Sequence, residues 1–465
     1  MVWQGSVSSE WLLALLGAIF IFLAPTRVQF VLLILALQFP VGFIYTTRNI
    51  AGLDLQISDL LTATLAARLA LVALARPATF RRPLMPWLRF LLVLVLWTGI
   101  VQVIAHLSVG PLPAESWSGW LRSISYLLLI PVFGMLTLRR DRLHRFIALV
   151  MALVVLQAIF GLALRFMGPA LGVSAELVLQ FSGAKGLEHF GSAGYAATGT
   201  LGSGAVFGLA MGMLLPLWLA RWLRLPPRGT VPRVWGVLGL AILAVALVFS
   251  LSRRSILGAP LGILIVLSRN RRSWARRLVQ LSLVVALVAA SAGPAVIQRF
   301  QPEFAAGVGS VETSFGTRIA LWREAVPSLL EQPVFGVGWA MFRALRGELG
   351  SFSESLYVET ALAYGLPGLV LLLVGMWLVT VDARYLIRHG GDLDWLGSGM
   401  LGATAVVAIA GLFDVNLWAD TGRMFWLLVG LQWCAVRVVK AERRIGSGGS
   451  PELRPSVAER NGMAG

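Results

Sequence analysis

The chain has 465 residues, of which 57% are hydrophobic and only 13% charged, whereas a soluble domain carries roughly 45–50% apolar and about 25% charged residues. That balance excludes an ordinary soluble protein. The net charge of +17 does not argue for nucleic acid either, because the basic residues cluster between apolar runs of the roughly 20-residue length that crosses a bilayer core.

In chain order, apolar stretches at 11–25, 28–46, 57–75, 87–107, 120–138, 146–167 and 201–220 predict spans. Further stretches follow at 234–251, 256–267, 278–297, 355–381, 396–413 and 424–439. The expected fold is therefore all-α, a polytopic membrane bundle of about 12–13 transmembrane helices over residues 1–441, with a disordered tail at 442–465. Residues 1–25 lack a basic n-region and an Ala-x-Ala site, so no removable signal peptide is expected. The 11–25 stretch is short, and with its neighbour it can instead form a re-entrant hairpin, which leaves the side of the N-terminus open.

Arginine placement sets the expected orientation. Basic clusters at Arg76/Arg81/Arg82, Arg139/Arg140/Arg142/Arg145, Arg221/Arg224/Arg228/Arg233, Arg269/Arg271/Arg272/Arg276/Arg277 and Arg384/Arg388 fall in every second loop. The positive-inside rule assigns those loops and the C-terminus to the cytoplasm. Two long loops, 168–200 and 298–354, then face outward. The second carries short amphipathic helices: Arg318–Leu330 spaces Ile319, Trp322, Ala325, Val326 and Leu329 helically, as expected of a helix lying on the membrane surface. Trp339–Leu349 is a second such stretch, and Pro333 and Gly336-Val-Gly338 separate the two.

Two features of the outer face point to chemistry. SLSRRSILG at Ser250–Gly258 places Arg253 and Arg254 at the outer end of a span, where arginine costs several kcal/mol and by default marks a site or a paired charge. Snorkelling to the headgroups is the bland alternative. Guanidinium also matches phosphate oxygens in bidentate geometry. The outer loops hold no Asp-x-Asp cluster, the four histidines are scattered, and Cys434 is the one cysteine, so no metal site or cofactor is expected.

Three pieces together resemble the O-antigen ligase and O-antigen or exopolysaccharide polymerase family of bacterial membrane glycosyltransferases. They are the SLSRRS span end, Arg318-x-x-x-Trp322 followed by Pro333-Val-Phe-Gly336-Val-Gly338, and Glu354-Ser-Leu-Tyr-Val-Glu-Thr-Ala-Leu-Ala-Tyr-Gly365-Leu-Pro-Gly368. Gly199–Gly208 is a weaker fourth match. The sequence departs from the family pattern at Glu354, where the family has histidine, and at Ala196, where it often has arginine.

The resemblance implies transfer of a glycan from an undecaprenyl-diphosphate-linked donor to an acceptor sugar hydroxyl at the periplasmic face of the bacterial inner membrane, with polymerase favoured over ligase. For that reaction the candidate diphosphate ligands are Arg253, Arg254, Lys185 and Arg318, the last also catalytic; Glu354 or His189 is the candidate proton acceptor, and Tyr357 and Trp322 are candidate sugar-lining groups, with interfacial anchoring the other role open to Tyr357. The implied partners are the lipid-linked donor, the glycan acceptor and the bilayer, with a chain-length regulator or flippase beside them and no nucleic acid. A secondary transporter or lipid-linked oligosaccharide flippase is the reading from another class; charges gathered at one end of the bundle favour transfer, and a midplane cavity favours transport.

Overall fold

The computed structural model describes residues 48–50, 53–55, 62–68, 71, 85–110, 112, 114–134, 140–167, 197, 204–224, 230–269, 314–339, 341, 353–414, 417 and 422–448. Ten major helices make up most of it: α1 (Met85–Val109), α2 (Ala114–Gly134), α3 (Arg140–Met167), α4 (Gly204–Arg224), α5 (Thr230–Phe249), α6 (Arg253–Arg269), α7 (Ser314–Glu331), α8 (Leu356–His389), α9 (Asp394–Ala410) and α10 (Gly422–Gly448). A two-stranded antiparallel ribbon, β1 (Arg48–Ile50) and β2 (Leu53–Leu55), is the exception to helix, with Asn49 opposite Asp54.

The all-α polytopic reading holds. Among the described residues, six helices are long and apolar enough to cross a membrane, and α2, α5 and α6 pack among them. The spans expected at 11–25, 28–46 and 278–297 lie outside the described residues, as do the tail beyond 448 and most of the 168–200 loop. α10 runs past Lys440 to Gly448.

The helices show which surface meets lipid. Leu92, Leu96, Ile100, Val103 and Leu107 stand exposed on α1, and Val370, Leu373, Val374, Trp377 and Val381 on α8. The three-to-four-residue spacing makes each set a stripe along its helix. Such apolar stripes have no place in water but match acyl chains, which are as apolar as leucine.

Inside the bundle, small residues let backbones approach closely. A Cβ on Gly262 of α6 would stand 2.8 Å from the Gly402 carbonyl oxygen of α9, and one on Gly258 3.0 Å from that of Val406. This crossing brings the start of α6 beside the end of α9. α4 packs into the same group, with Pro216 against Gly402 and Leu217 against Gly399, so the starts of α4 and α6 share one end of the bundle with the end of α9.

The opposite end is pinned by the basic loops. Arg140 Nε meets Asp392 at 2.9 Å and its Nη1 meets Glu442 at 3.1 Å, His144 meets Asp392 at 2.9 Å, and Arg224 pairs with Asp394. These pairs are partly exposed, so each contributes little stability alone.

α7 forms where the periodicity predicts it, but its buried face is rotated. Leu321 and Ala325 are buried, whereas Val326 is 49% and Leu330 72% exposed. Ala325 packs with Ala105, Leu112, Val337, Met341 and Leu362. The helix therefore docks on the ends of α1 and α8 with Ala325 and Leu329 of the expected stripe, joined by Leu321, and leaves Val326 outside.

Candidate functional site

The turn that carries the arginines is built by serine. Ser250 Oγ donates to Leu247 O at 2.5 Å and accepts from Ser252 N–H at 3.2 Å. Leu251 takes a left-handed conformation, φ +54°. Ser252 then opens α6: its carbonyl accepts from Ser255 and Ile256 N–H, and its hydroxyl bonds the Ser255 hydroxyl at 2.9 Å. Gly208 on α4 leaves the room for this, since a Cβ there would collide with Ser250 and Ser252. That gives the Gly199–Gly208 segment a physical reason.

Arg253 and Arg254 occupy the first turn of α6, where a cation is disfavoured by the helix dipole. Arg254 is only 14% exposed and pairs with Asp414, just past the end of α9. Arg253 stands beside it, half-buried. At the same end, Arg165 on α3 lays its guanidinium 4.6 Å from the Phe249 ring centroid. That stacking gives Arg165 a structural place.

A second ion pair sits across the neighbouring helices. Arg318 on α7 meets Glu354 Oε2 at 2.7 Å, with side-chain exposures of 18% and 44%. One turn on, on the same face, Trp322 Nε1 donates to Ser353 O at 2.9 Å. α7 thus grips the Ser353–Glu354 dipeptide with a charge and a hydrogen bond. Glu354 holds φ +52°, a left-handed conformation that is rare for a residue with a Cβ. Ser355, extended at φ −140° and ψ 127°, precedes α8 without a side-chain cap.

The two ion pairs belong to one end of the bundle. Leu356 N–H donates to Gly411 O at 2.7 Å, and Tyr357 Oη donates to Ala408 O at 2.9 Å. The start of α8, bearing Glu354, is therefore stitched to the end of α9, which leads into Asp414.

Glycines supply the remaining frame. Val337 N–H and Gly338 N–H donate to Leu362 and Ala363 carbonyls at 2.7 and 3.1 Å, and Leu366 N–H donates to Pro333 O at 2.8 Å. To accept the turn, α8 is interrupted at Gly365, φ 70° and ψ −179°, a region essentially restricted to glycine. Gly336 and Gly338 also have positive φ, +66° and +90°. The Pro-x-x-Gly-x-Gly and Gly-Leu-Pro-Gly elements thus prove to be the two halves of one contact. Buried Gln102 of α1 fixes its far side, accepting from Trp339 N–H at 3.0 Å and donating to Ser116 O at 3.1 Å.

Beside this turn lies an apolar groove of about 590 Å³ between α1 and α8, lined by Val93, Trp97, Pro333, Val334, Leu366, Pro367, Val370 and Leu371. Trp97 closes it, stacked on Phe335 at 5.7 Å and donating to Tyr364 O at 2.9 Å.

Of the residues singled out from sequence, Arg253, Arg254, Arg318 and Glu354 come to one end of the bundle, with Trp322 and Tyr357 in its hydrogen-bonded frame. Lys185 and His189 lie outside the described residues. Sequence reasoning did not single out Asp414, Ser353 or the buried Glu359. Glu359 was in view inside the Glu354–Gly368 motif, but a partner for Arg254 some 160 residues away leaves no local pattern. Among the described residues, no three His, Cys, Asp or Glu side chains gather as a metal-holding group.

Residues 238–373 match the family model described as O-Antigen ligase. The match runs from within α5 to within α8, and so takes in the serine turn, both arginines of α6, Arg318, Glu354 and the glycine contact. The sequence resemblance to that family is borne out over this stretch, and the six long apolar helices among the described residues fit a multi-pass membrane protein. No curated protein matches the chain at a significant level.

Proposed function

We propose, on the premise that residues 238–373 are of O-Antigen ligase type, that this chain transfers a glycan from a polyprenyl-diphosphate-linked donor to an acceptor sugar hydroxyl at the outer face of the bacterial inner membrane. The observation that carries the reading is the gathering of Arg254 and Arg318 at one end of the bundle, each paired with a carboxylate. A diphosphate offers the same guanidinium-matching oxygens with more charge. The arginine-rich loops with Arg140 and Arg224 lie at the opposite end; by the positive-inside rule that end is cytoplasmic and the site is periplasmic.

In the reaction, the bond between the donor's anomeric carbon and its phosphate oxygen breaks, and the lipid diphosphate leaves with the electron pair. The acceptor hydroxyl oxygen forms the new glycosidic bond, and its proton passes to Glu354. Arg318 and Arg254, with Arg253 beside them, stabilise the charge growing on the leaving oxygen without reorganising and without a metal ion. Lys185 and His189 remain candidates for a further cation and an alternative base. The polyprenyl tail lies in the apolar groove beside Trp97. Elongation by repeat units is favoured over a single terminal transfer because Glu354 replaces the family's histidine. A transporter or flippase is the less favoured reading, since the paired charges stand at a bundle end and not at mid-membrane.

Binding of undecaprenyl diphosphate to the full-length protein in nanodiscs tests the donor assignment. Arg254→Ala is expected to weaken it at least tenfold, and a two-isoprene diphosphate is expected to bind at least tenfold more weakly than the long chain. Equal affinity of wild type and Arg254→Ala would remove Arg254 from the site.

A further inference from the structure

We infer that Glu359 is the positioning residue of this site, acting through Ser353 to fix Glu354 against Arg318. Glu359 stands one turn into α8 and is 1% exposed. A carboxylate buried in a membrane helix carries a large desolvation cost and marks a function by default. It is too enclosed to touch substrate, and its carboxylate instead turns back past the start of its own helix. Glu359 Oε2 accepts the Ser353 N–H at 3.0 Å.

Ser353 is thereby held at both of its peptide groups, its N–H by Glu359 and its carbonyl by Trp322. Ser353 Oγ adds a third tie, donating to Ser355 O at 3.2 Å. The next residue is Glu354 in its left-handed conformation, which persists only where the surroundings over-determine it. The anchors come from two elements: α7, which also presents Arg318, and α8, which Glu354 precedes. Without Glu359, the Ser353 N–H would lose its acceptor, the dipeptide would be held by α7 and the Ser353 Oγ–Ser355 O bond, and the Glu354 carboxylate would gain freedom to leave the place where an acceptor hydroxyl must meet it. Near-attack geometry tolerates errors well under 1 Å, so such freedom is read in turnover before it is read in binding.

The activity arm of the test rests on the proposed transfer reaction; the exchange arm does not. In hydrogen–deuterium exchange on the full-length protein in nanodiscs, the Ser353 amide is expected to be protected at least tenfold over an unstructured amide. Fast exchange of Ser353 in the wild type would overturn the inference with no variant needed. Glu359→Leu, which fills similar space without an acceptor, is expected to release the Ser353 amide while leaving α9 unchanged, and to lower kcat 10- to 100-fold with KM for the donor within twofold. Glu359→Gln keeps an acceptor oxygen and is expected within threefold of wild type. A double-mutant cycle completes the test: in a Glu354→Gln background Glu359→Leu should cost less than threefold more. Full additivity, or a Glu359→Leu loss seen in KM alone, would overturn the role. A wild type with protected Ser353 but no transfer would leave the anchor standing and defeat the reaction instead.

Discussion

Replacing Arg318 with alanine is expected to lower kcat for glycan transfer by about 10²–10³-fold, the usual effect of removing one preorganised donor from a site of developing charge. The donor's ground state already carries its diphosphate charge, but the bridging oxygen gains charge only as the bond breaks, so kcat should fall further than KM rises. The fold should survive. Arg318 sits on the docked helix α7, whose packing runs through Leu321 and Ala325. Its partner Glu354 is 44% exposed, so a lost pair of that exposure costs about 1 kcal/mol or less. Arg318→Lys keeps the charge but not the planar fork and should recover only part of the rate. Steady-state kinetics on the two variants, beside thermal unfolding, checks both halves: full activity in folded Arg318→Ala removes Arg318 from the chemistry.

The second large effect is structural. Gly365→Ala is expected to undock the Pro333–Gly338 turn and abolish transfer. The backbone at Gly365, φ 70° and ψ −179°, is closed to residues with a Cβ, and an added methyl would overlap the Val334 carbonyl. Neither chain can retreat, because Leu366 N–H to Pro333 O and Val337 N–H to Leu362 O tie them at 2.8 and 2.7 Å. The penalty is about 3 kcal/mol or more, from backbone strain plus overlap. Limited proteolysis should show new cleavage near residues 333–338. An intact, active Gly365→Ala protein would contradict the view that this contact frames the site.

How much of this was legible in the sequence follows from the physics of each part. Spans were legible because a bilayer enforces a length: the apolar run at 87–107 became Met85–Val109 and that at 396–413 became Asp394–Ala410. The helix at Arg318–Leu330 was legible in its period but not in its facing. Periodicity locates an apolar stripe, whereas docking onto α1 and α8 buried Leu321 with Ala325 and left Val326 outside.

The candidate site was legible at Arg254, which stands at a span end where arginine is costly, and at Glu354, which stands where the family pattern has histidine. Its pairings were not. The ion pair from Arg254 to Asp414 and the hydrogen bond from Leu356 to Gly411 join segments that meet only because glycine-lined helices cross closely. Glu359 was hidden for another reason: inside an apolar helix its charge was visible, but its reach back to Ser353 depends on a left-handed Glu354 that no pattern announces.

On the proposed reading, the charged end of this bundle makes a glycosidic bond at the expense of a lipid diphosphate. Reconstitution of the full-length protein in proteoliposomes with a polyprenyl-diphosphate-linked oligosaccharide tests it most directly, following both product length and the released lipid. The expected result is release of polyprenyl diphosphate in step with a ladder of lengthened glycan, undiminished in EDTA. Movement of intact donor across the bilayer with no new glycosidic bond would contradict it.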